Sequence, residues 1–154
     1  MNDVTTRLAT LEDIEMLLEF EQGVINFERP FDPTLKEKTT YYDIPEMIAS
    51  TEVVLLVAVL GSEIIASGYA RIEVAKPYLK HRQYAYLGFM FVTPSYRGKG
   101  VNGIILEALK TWVLSKNISE VRLDVYSDNP SAIKAYEKAG FKKHLINMRK
   151  GLSM

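Results

Sequence analysis

Phe91-Val-Thr-Pro-Ser-Tyr-Arg-Gly-Lys-Gly-Val-Asn-Gly103 is the stretch on which the fold turns. Before it, Tyr84–Val92 has the aromatic and β-branched composition of a strand. After it, Val101, Ile104, Ile105, Ala108, Leu109, Trp112 and Val113 recur at i, i+3, i+4, i+7, i+8, i+11 and i+12, which predicts an amphipathic helix. Between them lie Gly98, Gly100 and Gly103, with Arg97 and Lys99 interleaved. Glycine lets a backbone turn its N–H groups toward a ligand, and a helix N-terminus favours anions. A pyrophosphate-bearing ligand fits such a loop.

Reading outward, the chain predicts one domain over 1–154, with no repeat, low-complexity tract or linker. A short strand near 4–9 leads to Thr10, a helix cap, and to a helical stripe of Leu11, Ile14, Leu17, Leu18 and Ile25 ending near 26. Residues 28–33, with two prolines, read as an irregular loop, and Asp43 caps a short helix over 43–50. Val53–Leu60, Glu63–Ala75 and Tyr84–Val92 on short connections predict an antiparallel meander. Val121–Tyr126 alternates as a strand, Asn129-Pro130 opens a helix closed by Gly140, and Phe141–Arg149 reads as a last strand. The expected order is β-α-α-β-β-β-α-β-α-β, a mixed α+β sheet in which 84–126 forms a parallel β-α-β unit.

Composition narrows the chemistry. The 154 residues contain no cysteine, so disulfides, thiolate zinc sites and an acyl-cysteine intermediate are excluded. Two histidines, His81 and His144, do not supply a His-rich metal site, and no metal is expected. No apolar run approaches the roughly 18–20 residues of a membrane span. The acidic start MNDVTTRLATLEDIE lacks a secretory pattern, so a cytoplasmic protein without a membrane partner is expected. Acidic and basic residues balance at 19 each, but unevenly. Residues 1–73 carry 14 acids against 5 bases, residues 74–106 carry 5 bases and no acid, and residues 107–154 carry 9 bases against 5 acids. A compact basic region in a neutral chain argues against nucleic acid.

Gly98-x-Gly100-x-x-Gly103 formally matches the dinucleotide fingerprint, with Asp124 downstream, which would make the chain an oxidoreductase. That fingerprint should follow its strand directly, yet Thr93–Arg97 intervene. The run 91–103 more closely resembles the acetyl-CoA loop of GNAT-type N-acetyltransferases, patterned Gln/Arg-x-x-Gly-x-Gly/Ala. Arg97, Gly100 and Asn102 occupy those places, Asn102 departing from Gly/Ala. A second block, Asp124-Val-Tyr-Ser-Asp-Asn-Pro-Ser-Ala-Ile-Lys-Ala-Tyr-Glu-Lys-Ala-Gly-Phe141, is also similar to the family.

The resemblance implies a fold with splayed central strands and acetyl transfer from acetyl-CoA to a primary amine of a small molecule or peptide. Backbone groups of Met90 and Val92 would meet the pantetheine arm, the amide near Met90 polarising the thioester carbonyl. Arg97, Gly98, Lys99, Gly100, Val101, Asn102 and Gly103 would hold the pyrophosphate, and Asn129 would contact pantetheine. Tyr136 lies where the family places a phenol that donates to the departing sulfur. An alkyl amine, pKa about 10.4, must lose a proton before attack. The strand 83–92 has no carboxylate, so that role is open to Glu73, Glu28 or water held by tyrosines such as Tyr86. Glu28 and Tyr86 are also candidate acceptor contacts. The same fold could instead serve as a non-catalytic acyl-CoA sensor, and members of it often form homodimers.

Overall fold

The structure is a computed structural model and describes residues 3–153. These fall into two compact units, one ending at Asp124 and one beginning at Val125.

The first unit is built on a five-stranded sheet in which β1 (Val4–Leu8), β2 (Val53–Leu60), β3 (Glu63–Val74), β4 (Gln83–Val92) and β5 (Val121–Arg122) lie side by side in chain order. The first four are antiparallel, while β5 runs parallel to β4 after the crossover through α3 (Val101–Ser115). Leu55 and Val57 of β2 join Leu17 and Phe20 of α1 (Ile14–Glu28) and Ile44 and Met47 of α2 (Ile44–Ala49) in one core. The alternate residues Val54, Leu56 and Ala58 face the other way, onto the side where Ile105 and Leu109 of α3 crowd Gly68, the cross-strand partner of Leu56. Burial on both faces is why β2 reads as an unbroken apolar run rather than an alternating one.

Several local expectations change. The buried stripe of α1 consists of Leu17, Phe20, Glu21 and Ile25, while Leu11 and Leu18 are exposed. Thr10 caps as expected, but on a 3-10 turn, Leu11–Asp13, that leads into the helix: it forms a capping box with Asp13, whose carboxylate accepts from the Thr10 amide at 2.8 Å. Arg7 grips the same carboxylate through both nitrogens, at 2.8 and 2.9 Å. Helix α1 runs two residues beyond the expected end, and a 3-10 turn, Arg29–Phe31, replaces part of the expected loop. Asp43 caps α2 as expected, accepting from the Glu46 amide at 3.2 Å. Strand β5 is two residues long rather than six, because its ladder with β4 stops at Ala85↔Val121 and Tyr86↔Arg122.

The second unit contains α4 (Pro130–Lys138), capped by Asn129, whose side chain accepts from the Ala132 amide at 3.2 Å. Gly140, at φ 100°, ends it in the left-handed conformation. The expected strand over 141–149 is not formed. A strand exists only through an edge to pair with, and α4 is the sole regular element of this unit among the described residues. Leu145, Ile146 and Met148 are accordingly exposed.

Candidate active site

Strand β4 carries two irregularities that matter for chemistry. On the β5 side it is paired only at Ala85 and Tyr86, so among the described residues Leu87–Val92 have no ladder partner on that edge. On the β3 side the register slips: Ser67 pairs with Phe91 but Tyr69 with Gly88, which leaves Phe89 and Met90 as a bulge. Phe89 sits at φ 53°, a left-handed conformation that costs roughly 1–2 kcal/mol for a residue with a Cβ. Beyond the bulge the Thr93 amide donates to the Ile65 carbonyl, so Thr93 and Phe91 face β3. Alternation then turns the backbone groups of Met90 and Val92 to the open edge.

From Val92 the chain passes through Thr93 and a 3-10 turn, Pro94–Tyr96, into the glycines. Gly98 and Gly100 have φ of 75° and 84°, and Gly100 is the N-cap of α3. The first amides of a helix have no acceptor within it, so those of Val101, Asn102 and Gly103 are presented at this end. Arg97 donates from Nε to the Val92 carbonyl at 2.8 Å, its guanidinium 5.4 Å from the Phe91 ring centre. Lys99 Nζ lies 5.7 Å from the Tyr96 ring centre, and the Tyr96 hydroxyl donates to Glu63 at 2.9 Å. The expected cation-glycine loop is therefore present beside an unpaired strand edge.

A cluster of tyrosines covers the α1 side of β4. Tyr42 stacks on Phe89 with ring centres 4.5 Å apart, and meets Tyr41 and Tyr69 edge-on at 5.7 and 5.8 Å. The Arg71 guanidinium lies 5.5 Å from the Tyr69 ring and 5.4 Å from that of Tyr86. Tyr42, Tyr69, Met47, Val53 and Arg71, with Asp43 and Glu46, enclose a cavity of about 140 Å³. Burial pushes the phenols of Tyr42, Tyr69 and Tyr86 above their ordinary range. For Tyr86 the neighbouring Asp124 adds to the effect, accepting from its hydroxyl at 3.1 Å.

The candidate acids differ. Glu73 is held in an ion pair with Arg71. Glu28, half-buried at the end of α1, has its pKa raised by desolvation, against a hydrogen bond with Tyr41 that pulls it down. Glu21, fully buried, is the residue sequence reasoning missed. Its Oε2 accepts from the amides of Tyr41 at 2.9 Å and Tyr42 at 2.7 Å, while Oε1 has no donor among the described residues. The available signal was its position, four residues after Leu17 and four before Ile25, on the buried stripe. In the second unit, the Tyr136 ring meets Phe141 edge-on at 5.7 Å, and the Phe141 amide donates to the Tyr136 carbonyl. No group of three or more His, Asp or Glu able to hold a metal occurs among the described residues, and no helix among them is long and apolar enough to cross a membrane.

A sheet opened along β4, a bulge facing the opening, and a cationic glycine loop leading into a helix define an acyltransferase-type scaffold. The family model described as Acetyltransferase (GNAT) family matches residues 21–141, and the chain belongs to that family. It is 38% identical over 50 residues to a streptothricin acetyltransferase of Escherichia coli, a match covering 32% of this chain and 29% of the relative. It is 28% identical over 96 residues to Acetyltransferase SG1711 of Sodalis glossinidius, covering 62% of each. The chain thus spans less than two thirds of either relative's length. A predicted acetyltransferase of Clostridium acetobutylicum, solved with acetyl-CoA, superposes with a TM-score of 0.74 over 96% of both chains at 19% identity, a likeness of fold. The dinucleotide reading falls with the family match, and the turn at Pro94–Tyr96 separates the glycines from their strand as that fingerprint does not allow.

Proposed function

We propose that this chain is an acetyl-CoA-dependent N-acetyltransferase whose acceptor is a primary amine on a cationic small molecule or peptide. The observation that carries the reading is the unpaired edge of β4, with Met90 and Val92 turned toward it, running directly into the Arg97–Gly103 loop. A strand edge offers backbone donors and acceptors to the amide-rich pantetheine arm. The loop offers amides and two cations to a pyrophosphate. Asn129 is proposed as a pantetheine contact and Tyr136 as the group that protonates the departing thiolate, both carried over from the family motif.

On the acceptor side, Glu28 is the best-placed carboxylate to take a proton from an ammonium. Its raised pKa brings it nearer the operating range, whereas Glu73 is occupied by Arg71. Tyr86, its hydroxyl donating to Asp124 and its ring beside the Arg71 guanidinium, is proposed as a contact for the acceptor through its hydroxyl oxygen. The free amine then attacks the thioester carbon, the C–N bond forms and the C–S bond breaks; Tyr136 supplies the proton to sulfur, and the proton shed by the acylated nitrogen passes to solvent, from which Tyr136 is reprotonated. With no cysteine in the chain, transfer is direct. The streptothricin acetyltransferase relative suggests streptothricin among the acceptors to be tried.

Thermal shift with acetyl-CoA, CoA, NAD and NADP, followed by thiol release across a panel of polyamines, streptothricin, aminoglycosides, amino acids and peptide N-termini, tests the proposal. Stabilisation by acetyl-CoA and turnover with at least one amine are expected. Tight CoA binding without turnover on any amine would instead make the chain an acyl-CoA sensor. Tyr136→Phe is expected to lower kcat at least tenfold while leaving acetyl-CoA affinity within about twofold; an unchanged kcat removes the proton-donor role.

A further inference from the structure

Phe89 is held at two points. Its ring is stacked under Tyr42, and its carbonyl oxygen accepts from the Ser67 hydroxyl at 2.9 Å. Ser67 is fully buried on β3, and its hydroxyl makes this bond. The surroundings leave the bulge room to form. A Cβ on Gly88 would lie 2.6 Å from the Tyr69 ring, and one on Gly68 would lie 2.8 Å from the Met90 sulfur.

The bond has a consequence one atom further along. No peptide bond among the described residues is cis, so the Phe89 carbonyl and the Met90 N–H lie in one plane and point in opposite directions. Whatever fixes the carbonyl of Phe89 therefore fixes the N–H of Met90. The carbonyl is drawn into the core by Ser67, and the N–H is sent away from it, toward the open edge of β4.

We propose that Ser67 is a positioning residue for acetyl transfer: through the Phe89 carbonyl it aims the Met90 N–H at the place where a thioester oxygen gains charge. The inference rests on the acetyltransferase reading for its catalytic consequence and on this geometry alone for its structural one. A donor preorganised against a developing oxyanion needs no reorientation during the reaction. Without the hydroxyl, the Phe89 carbonyl would be buried without its side-chain donor, and the left-handed bulge would lose the bond that fixes it.

Ser67→Ala removes only the hydroxyl. Two readouts are combined, the Met90 backbone amide by 1H–15N NMR and the carbonyl stretch of bound [1-13C]acetyl-CoA by difference infrared spectroscopy. In the variant the Met90 amide resonance shifts and its hydrogen exchange rises. The bound carbonyl frequency moves back toward that of free acetyl-CoA, and kcat falls about 10- to 100-fold while affinity for unacylated CoA stays within about twofold. Ser67→Thr, which keeps the hydroxyl, recovers most of the carbonyl shift. Val57→Ala, a core truncation beside it, lowers stability without moving that frequency. An unmoved Met90 amide in Ser67→Ala overturns the inference whether or not acetyl-CoA binds. So does an unmoved carbonyl frequency in a wild-type protein that acetylates. Failure of the wild type to bind acetyl-CoA, with the Met90 amide still responding to Ser67→Ala, overturns the functional reading and leaves the aiming of that N–H standing.

Discussion

Glu21 and Glu28 lie seven residues apart on one helix and do different work because one is sealed and the other is not. Glu21 closes the two consecutive amides of Tyr41 and Tyr42, and Tyr42 in turn stacks on Phe89. Glu21→Leu leaves the part-buried N–H groups of Tyr41 and Tyr42 without this acceptor, at about 1–3 kcal/mol each. Its expected effect is an acceptor KM raised at least tenfold with acetyl-CoA affinity unchanged. Glu21→Gln keeps an oxygen for both amides and should stay within about threefold of wild type. Steady-state kinetics on both substrates checks the pair. In the proposed function Glu28 is the group that would carry the pH dependence. Burial favours its neutral form in the folded protein, so the acid destabilises the fold above its ordinary pKa and that cost fades as pH falls. As a base it works only when ionised. The kcat/KM profile should therefore rise with pH through a value above the ordinary glutamate pKa, and Glu28→Gln should flatten that limb; a limb that persists in Glu28→Gln assigns it elsewhere. Glu28 was a candidate in the sequence at the start of an expected loop and lies instead at the end of α1, whereas Glu21 gave no signal, because a carboxylate on a helix ordinarily reads as a solvated face.

At the scale of elements, what the sequence made legible follows from where each signal resides. The stripe of α3, the Asn129-Pro130 cap and the Gly140 stop are local signals, and each appears as read. The three-strand meander also appears, because hairpin register is set by short connections. The bulge at Phe89 was not readable, since nothing in the run Gly88-Phe-Met-Phe91 distinguishes two residues opposite one from an ordinary ladder. Pairing length was not readable either: Val121–Tyr126 alternates throughout, yet only Val121 and Arg122 find a partner on β4. The glycine loop allows stability and ligand binding to be separated. Gly100 is left-handed, so Gly100→Ala costs roughly 1–2 kcal/mol and lowers the Tm. Gly103 sits inside the first turn of α3 with open space where a Cβ would go. Gly103→Ala should therefore stabilise the protein by about 0.5–1 kcal/mol. If residues 97–103 cradle a pyrophosphate, the same methyl weakens CoA binding. Calorimetry for both properties is expected to give a higher Tm with a higher Kd; a higher Tm with unchanged Kd removes Gly103 from the binding loop.

Across the whole molecule, a net charge of zero conceals an uneven distribution of acids and bases. The acid-free stretch 74–106 contains all of β4 and the loop with Arg97 and Lys99, the parts that the proposed function assigns to an anionic cofactor. The first 73 residues, at 14 acids to 5 bases, contain Glu28 and the Tyr41–Tyr42 loop assigned to a cationic acceptor. Each partner would be drawn to its own side by a field of opposite sign, and exposed charges act over about 10 Å at 0.1 M salt. In Arg97→Glu/Lys99→Glu the local balance of residues 74–106 changes from five bases to three bases and two acids, and the Val92 carbonyl loses its side-chain donor. CoA affinity should fall about 5- to 30-fold at low salt, each of the two exposed cations contributing roughly 0.5–1 kcal/mol. That deficit should shrink as salt rises toward 0.5 M, while the KM for a cationic acceptor stays within about twofold at every salt concentration. Titration calorimetry with CoA across a salt series, paired with acceptor kinetics at saturating acetyl-CoA, reads both halves. A CoA deficit independent of salt would mean that Arg97 acts through its bond to Val92 rather than through its charge. A doubled charge reversal with no deficit would reduce the asymmetry to coincidence.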